Sequence, residues 1–597
     1  MRHPHTNRPL PLFYSLAFLL FPLANLSAQT SAQPAPQADI VFVREPTVRP
    51  NPIRRAPLVA IVEFETDVEV LVSVEVSDGQ NRWKQPPITG PQKKHSIPVV
   101  GLRPGLRHAI RVLANKSGDT KITQSKALEF ITEPLPNSFP PIRTILAKPE
   151  KMEPGVTFFA VNFWDNSTSM LDYGYIIAVD NRGDVVWFCH TTDRIADMRF
   201  TKAGNLLYQH GSYRYAYEID LLGRDRRRWI ATNLTKMPND GLAINPSIPV
   251  EIDTIHHDLL EKNDGNFLTL ATELRHFQQY PTSEFERDAP WEPAYVVCDR
   301  VIEFDPNNGK INNQLHLTNI LDPNRFGYMA LSGFWKDKYN QYINEERARD
   351  WSHANALVHL PEENAILVSF RHLDCIFKID WETKKIKWIL GNHDNWSKPW
   401  QKYLLKPVGD LQWFYHQHAP QMTTRGTLMM YDNGNYRASP FEKATFATEN
   451  RSRVVEYKID EDAMTVEQVY VYDGGENNPF YCPFYCEADL LPQTQNILVT
   501  DGGHIELADG TPDDNVPADR QWARIFEITG SENPERVFEL NCMSPLGSRY
   551  GWSIYRSIRR PNLYENLNLV APLESENDLL YPREQHIRRE FPKNARF

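Results

Sequence analysis

Cysteine is scarce in this chain. Six in 597 residues are too few for the disulfide framework of a small secreted scaffold. Only Cys482 and Cys486, in YCPFYC, lie close together. An oxidising compartment would permit a disulfide between them. A zinc site there would need further ligands, and the neighbouring sequence offers none. Positive charge is short as well. Lys and Arg total 65 against 76 Asp and Glu, a formal net charge of −11, with no basic block. That argues against a nucleic-acid partner. Beyond the N-terminal leader no segment reaches the ~20 apolar residues that span a bilayer.

The N-terminus has what the rest lacks. Arg2 and Arg8 precede LPLFYSLAFLLFPLANL, which ends near Leu26, Ser27 and Ala28. A charged start, an apolar run and small residues are the order of a secretory signal peptide, assigned here to 1–28. The alternative is a membrane anchor, but Pro11, Pro22 and the short run favour cleavage. Residues 29–39 read as a flexible lead-in. The mature protein is expected in the periplasm or outside the cell, with no stable membrane insertion.

The length allows about three to four average domains. Residues 40–135 read as a small β-sandwich. VAIVEFETDVEVLVSVEVSD gives two strands of β-branched residues, and IPVVGLRPGLRHAIRVLA gives two more around a Leu-Arg-Pro-Gly turn. LRPGLRHAIRV resembles the last turn and strand of fibronectin type III domains, with His108 where a tyrosine is common. The proline-rich stretch 136–154 reads as a linker.

From 155 to 565 the chain repeats irregularly. One unit is a strand ending in an acid, a turn and a second strand, as in YIIAVDNRGDVVWF and CIFKIDWETKKIKWIL; six copies are legible. Between them lie five hairpins with Asn or Gly in the turn, such as HHDLLEKNDGNFLTLA, HANALVHLPEENAILVS and HAPQMTTRGTLMMYD. A lone strand, YGWSIYRSIRRP, comes at the C-terminal end, before a tail at 566–597. These numbers predict an all-β chain: a sandwich followed by a six-bladed β-propeller closed by its last strand. A seventh blade would have to hide in 273–297 or 322–349.

In a propeller the first strand of each blade lines the central channel. His257 lies nine residues before Asn266, His418 nine before Thr427, and His353 eleven before Asn364 in a longer turn. Three channel strands therefore start with histidine. Arg371 ends the hairpin that His353 begins, which returns it to the same mouth. Asn355 shares the His353 face by strand period. His256 competes with His257, and register favours His257. A guanidinium fork, imidazoles and an amide suit a tetrahedral anion, and neutral imidazole is also a nucleophile. Three histidines can instead hold a metal, although the fixed charge of Arg371 repels a cation. His359, His372, His393 and His416 read as loop or surface residues.

These stretches, HHD at 256–258, DWSHAN at 350–355, SFR at 369–371, QHA at 417–419 and YDNG at 431–434, resemble the bacterial arylsulfate sulfotransferases that use no nucleotide donor. The resemblance implies ping-pong transfer of a sulfuryl group from a phenolic sulfate ester to a phenol through a sulfohistidine. It implies His418 as nucleophile, with Arg371, His353, Asn355 and His257 around the sulfuryl oxygens, and no cofactor. Thr500 would add a hydroxyl at the channel mouth. Tyr431, Phe414, Tyr415 and Tyr436 are candidates to stack on the aryl group. The disulfide that the family's best-known members place before the nucleophile has no counterpart here, since no cysteine lies between Cys375 and His418. Two other classes stay open: a metal-dependent propeller lyase or oxygenase, and a non-catalytic binding propeller. A homodimer is left open by the sequence.

Overall fold

Alternating apolar residues dictate strands throughout, and the computed structural model is almost wholly β. It describes residues 39–165, 173–191, 194–234, 247–344, 347–476, 478–514, 519–544, 550–565 and 569. The stretch read as a signal peptide, nearly all of the expected lead-in and nearly all of the expected tail lie outside them.

The N-terminal unit is built on one long strand, Ala60–Ser77. Its first half pairs with Phe42–Pro50 and Gln92–Val99, its second half with Arg82–Gln85 and Arg107–Asn115. The strand thus crosses two sheets, whose inner faces bury Phe64, Val72, Val74, Ile97, Ile110 and Val112. His108 is buried, and its Nε2 accepts the backbone N–H of Arg103 at 3.1 Å. A tyrosine at such a corner makes the comparable bond to upstream backbone.

Six further sheets of four or five strands follow. Their inner strands are Ile195–Phe200, His256–Glu261, Ala354–Leu360, His418–Met422, Glu487–Leu490 and Tyr550–Arg560. Each touches the next, and Tyr550–Arg560 touches both Glu487–Leu490 and Ile195–Phe200, so the circle closes. That terminal strand pairs with Val156–Asp165 and joins the two ends of the chain in one sheet. The packing between sheets is apolar; Leu268, Val301, Leu357, Val368 and Phe377 form part of one such layer. Of the two insertions, 273–297 lengthens an existing strand pair, Phe267–Pro281 with Trp291–Phe304. The described part of 322–349 holds short helical turns and an edge strand but no sheet of its own.

The stretch read as a linker is not all connector. Ile142–Ala147 pairs antiparallel with Arg536–Met543 and covers an edge of the last sheet. An open edge leaves backbone groups unpaired, and the passing chain satisfies them.

Candidate functional site

The three histidine-bearing inner strands share a backbone device. Each carries a shift in register at its start: His256/Leu259, Ala354/Ala356 and His418/Gln421. The backbone there enters the left-handed region, with φ of 55° at His257, 43° at His353 and 48° at Ala419. Bulges of this kind re-aim side chains, and strained non-glycine positions gather at functional sites.

The bulges bring the imidazoles together. The rings of His257 and His353 lie 4.9 Å apart, and Tyr555 stands 6.4 Å from both His257 and His418. Burial first, then the neighbouring charges of His353, His256, His418 and Arg371, hold His257 well below its ordinary value. His353 is lowered in the same way, by burial and then Arg371 and His418. His418 is pushed down to about 3, by burial and then Arg371. All three are neutral at ordinary pH. His353 is oriented through Nδ1, 2.6 Å from Asp350 Oδ2.

His418 is held by Asn433. The Asn433 Nδ2 donates to the carbonyls of Cys482 and Tyr485, at 2.8 and 3.2 Å. Its Oδ1 therefore faces His418 Nδ1, at 2.7 Å. An amide oxygen only accepts, so Nδ1 carries the proton and Nε2 keeps its lone pair.

Arg371 is buried. Its Nη1 lies 2.8 Å from His372 Nε2 and 3.3 Å from Met329 Sδ, and Nη2 donates to the Pro483 carbonyl at 3.1 Å. That leaves Nε–H and one Nη2–H without a partner among the described residues. No ion pair joins this guanidinium to a carboxylate among the described residues. A buried cation without an ion-pair partner is costly, and a bound anion would relieve that cost.

Other expected residues sit elsewhere. His256 lies behind His257, sharing a hydrogen bond at 2.8 Å between their Nδ1 atoms, with Asp299 at its other nitrogen. Asn355 donates Nδ2 to the Gln417 carbonyl at 2.7 Å and straps two inner strands together beside His418. Thr500 does not reach the site; its hydroxyl bonds to Ser557 between sheets. Tyr431 is likewise core, donating its hydroxyl to Asp501 at 2.6 Å. Phe414 packs in the core against Tyr457, and the Tyr415 hydroxyl accepts from Asn392. Tyr436 does stand at the mouth, stacked on Tyr328 at 4.7 Å and 5.8 Å from the His416 ring. With Phe285 and Phe446 it lines a cavity of about 430 Å³.

His372 and His416 are buried rather than surface residues. His372 stacks on His353 at 4.5 Å and donates its Nδ1–H to the Asp350 carbonyl at 2.8 Å, while His416 lies between Asp374 and the Tyr328 carbonyl. His393 is exposed, as expected, whereas His359 is half-buried on the strand Ala354–Leu360 rather than in a loop. Asp350 and Asn433 went unassigned although they lie in the quoted stretches DWSHAN and YDNG. Nothing local in the sequence marks the loop 482–486 as a wall of the site. Asp350, His353 and His372 also present ligand atoms within 4.8 Å of one another. The Arg371 guanidinium already faces His372 Nε2 there, which opposes a cation.

Residues 142–547 match the family described as Arylsulfotransferase (ASST), and 47–130 match an Arylsulfotransferase Ig-like domain. An arylsulfate sulfotransferase AssT of Escherichia coli O6:H1 is 29% identical over 250 residues, which cover 36% of this chain and 41% of that protein. The chain thus spans less than half of that relative. A protein of the same name from Lelliottia amnigena is 24% identical over 570 residues, covering 81% of this chain and 88% of its own length. A solved protein of unknown function from Bacteroides caccae aligns over 68% of this chain and 100% of its own at 10% identity, with a TM-score of 0.33, too slight a likeness to bear on function.

Proposed function

This chain belongs to the arylsulfotransferase family, and from that premise we propose that it moves a sulfuryl group from a phenolic sulfate ester to a second phenol through a sulfohistidine at His418. The observation that carries the reading is Arg371: a buried guanidinium that, among the described residues, has no carboxylate ion-pair partner and two donors to spare, with three neutral imidazoles around it.

In the first half-reaction the His418 Nε2 lone pair attacks sulfur. The bond between sulfur and the aryl oxygen breaks, and the phenolate departs with the bond pair. Arg371 and, beside His257, the Nε2–H of His353, whose Nδ1 accepts from the proton-bearing Asp350 carboxyl, stabilise charge on the sulfuryl oxygens, donors aimed where charge develops. His353 Nε2 gives its proton to the phenolate and takes the proton of the buried Asp350 carboxyl at Nδ1, so the ring stays neutral. In the second half the acceptor phenol gives its proton to His353 Nε2 while the Nδ1 proton returns to Asp350, its oxygen attacks sulfur, and the S–N bond returns its electrons to His418.

We read the six sheets around the closed circle as the blades of one propeller, with the N-terminal unit as a separate sandwich. The leader-like N-terminus supports export to the periplasm or beyond.

The test is release of a chromogenic phenol from an aryl sulfate. Release should rise when a second phenol is added, and His418→Ala should abolish it while the circular dichroism spectrum is kept. Full turnover in that variant removes His418 from the role. Metal that is bound by the wild-type chain and lost in His257→Ala, His353→Ala or His418→Ala would favour the lyase or oxygenase class instead.

A further inference from the structure

Behind the site, the loop Cys482–Cys486 meets the strand Ile497–Glu506. That strand has a register shift between Asp501 and His504. The bulge turns His504 back toward Asp501, so that His504 Nε2 lies 2.9 Å from Asp501 Oδ2. Cys482 Sγ joins them: the three ligand atoms lie within 4.8 Å of one another, all buried. Cys486 Sγ is 3.1 Å from Cys482 Sγ, and both cysteines are free. The sequence showed only the cysteines; the fold supplies the carboxylate and the imidazole from a neighbouring strand.

Four further features belong to this cluster. Gly503 N–H donates to Cys482 Sγ at 2.9 Å and Gly502 N–H to Cys486 Sγ at 3.3 Å. Such donors stabilise thiolates rather than thiols. Both bulge positions need glycine, since a Cβ at 502 would lie 1.8 Å from the Ile554 carbonyl oxygen, and one at 503 would lie 2.3 Å from that of Phe484. The Asp501 carboxylate is oriented by Tyr431 and Arg524, each at 2.6 Å. His504 is fixed by stacking on Trp522 at 3.8 Å. Ligands held by outer hydrogen bonds and packing are how metal sites are built.

We propose that Cys482, Cys486, Asp501 and His504 bind one zinc-class divalent ion as a closed structural site. Two thiolates and a borderline imidazole with a carboxylate are a donor set for zinc. Binding releases the two thiol protons and takes neutral His504 at Nε2. Two thiolates and Asp501 then balance the ion and Arg524, so the buried charge sums to zero. The neighbourhood of Arg371 has no thiolate to make that balance. With metal–sulfur bonds of ~2.3 Å the sulfurs must part by somewhat under ~1 Å, a movement confined to the loop. The ion would fix the carbonyls of Pro483, Cys482 and Tyr485, which hold Arg371 and Asn433.

The experiment uses the full mature chain, first weighed intact and then loaded with Co²⁺ as an optical probe. One cobalt per chain is expected, with sulfur-to-cobalt charge-transfer absorption and the visible bands of a tetrahedral ion, displaced by one equivalent of Zn²⁺. Cys482→Ser and His504→Ala should weaken binding at least about tenfold and lose the charge-transfer band. His504→Ala keeps the thiols and serves if the serine variant does not fold. His353→Gln should keep the band, which separates this site from the Asp350, His353 and His372 group. Cobalt bound without a sulfur band, a band that survives in both ligand variants, or a chain lighter by two hydrogens that takes up no metal overturns the proposal. The last result would mean a disulfide.

Discussion

Asn433 and Asp350 do for two imidazoles what the imidazoles cannot do alone. Each fixes one ring nitrogen, and so decides which atom faces the pocket. For His418 that choice separates a nucleophile from a mere donor, because a proton on Nε2 would bury the lone pair against the amide. Asn433→Ala should lower kcat about 10²-fold, the scale of a misplaced reacting group, with KM for the aryl sulfate changed far less; steady-state kinetics on both half-reactions reads it. The pH profile adds a second readout. His418 titrates near 3 in the folded chain instead of its ordinary 6.5, so turnover should show no acid limb near pH 6.5 from this residue. The sign for stability follows. Below 6.5 the unfolded chain takes a proton that the folded one refuses until about 3. The stability associated with His418 is therefore complete above 6.5 and is lost as pH falls toward 3, by up to about 1.4 kcal/mol per unit. His257 and His353 act in the same direction, while Asp350, raised by burial and Asp299, opposes them. The three imidazoles and Arg371 were legible because strand starts recur at fixed distances from their turns. Asn433 was not, since only its fold partners reveal its role, and Tyr431 misled because its hydroxyl answers to Asp501, seventy residues away in sequence.

At the scale of elements, the bulges do the aiming. A regular strand would alternate its side chains across the sheet, and an inner-strand histidine would point into the packing between sheets half the time. Ala419 marks the device for the His418 strand, buried and held at φ 48°. A β-branched residue is poorly accommodated there. Ala419→Val should cost about 1–3 kcal/mol and most of the turnover, whereas Ala419→Gly should keep both; thermal melting with the phenol-release assay separates them. Hairpins were readable from alternation and turn residues. The bulges were not, because a register shift leaves no pattern of period two to follow. The same blindness hid Asp501 and His504, three residues apart, which meet only because the strand between them kinks.

At the scale of the molecule, one terminal strand holds the circle shut. Tyr550–Arg560 pairs with Val156–Asp165 and touches the inner strands on either side. It also carries Arg556, which bonds to Asp197 at 2.7 Å and to Glu487, tying two inner strands at the hub. Ending the chain before Tyr550 should open the edge of Val156–Asp165 and leave Asp197 and Glu487 without Arg556, and so yield aggregates rather than a monodisperse protein by size-exclusion chromatography. Closure was foreseeable from a strand left over at the C-terminus. That Ile142–Ala147 would cover another edge was not, because the flanking prolines hide a six-residue strand. The circle matters because it brings neutral His257, His353 and His418 within electrostatic reach of one buried guanidinium, and that these four act as one site is the proposal on which the chemistry depends. Its most direct test is peptide mapping of the intact protein after brief exposure to an aryl sulfate, kept away from acid. One added SO₃ on the peptide carrying His418, discharged by a phenol, is the predicted result; full turnover with no adduct, or an adduct on another residue, would contradict it.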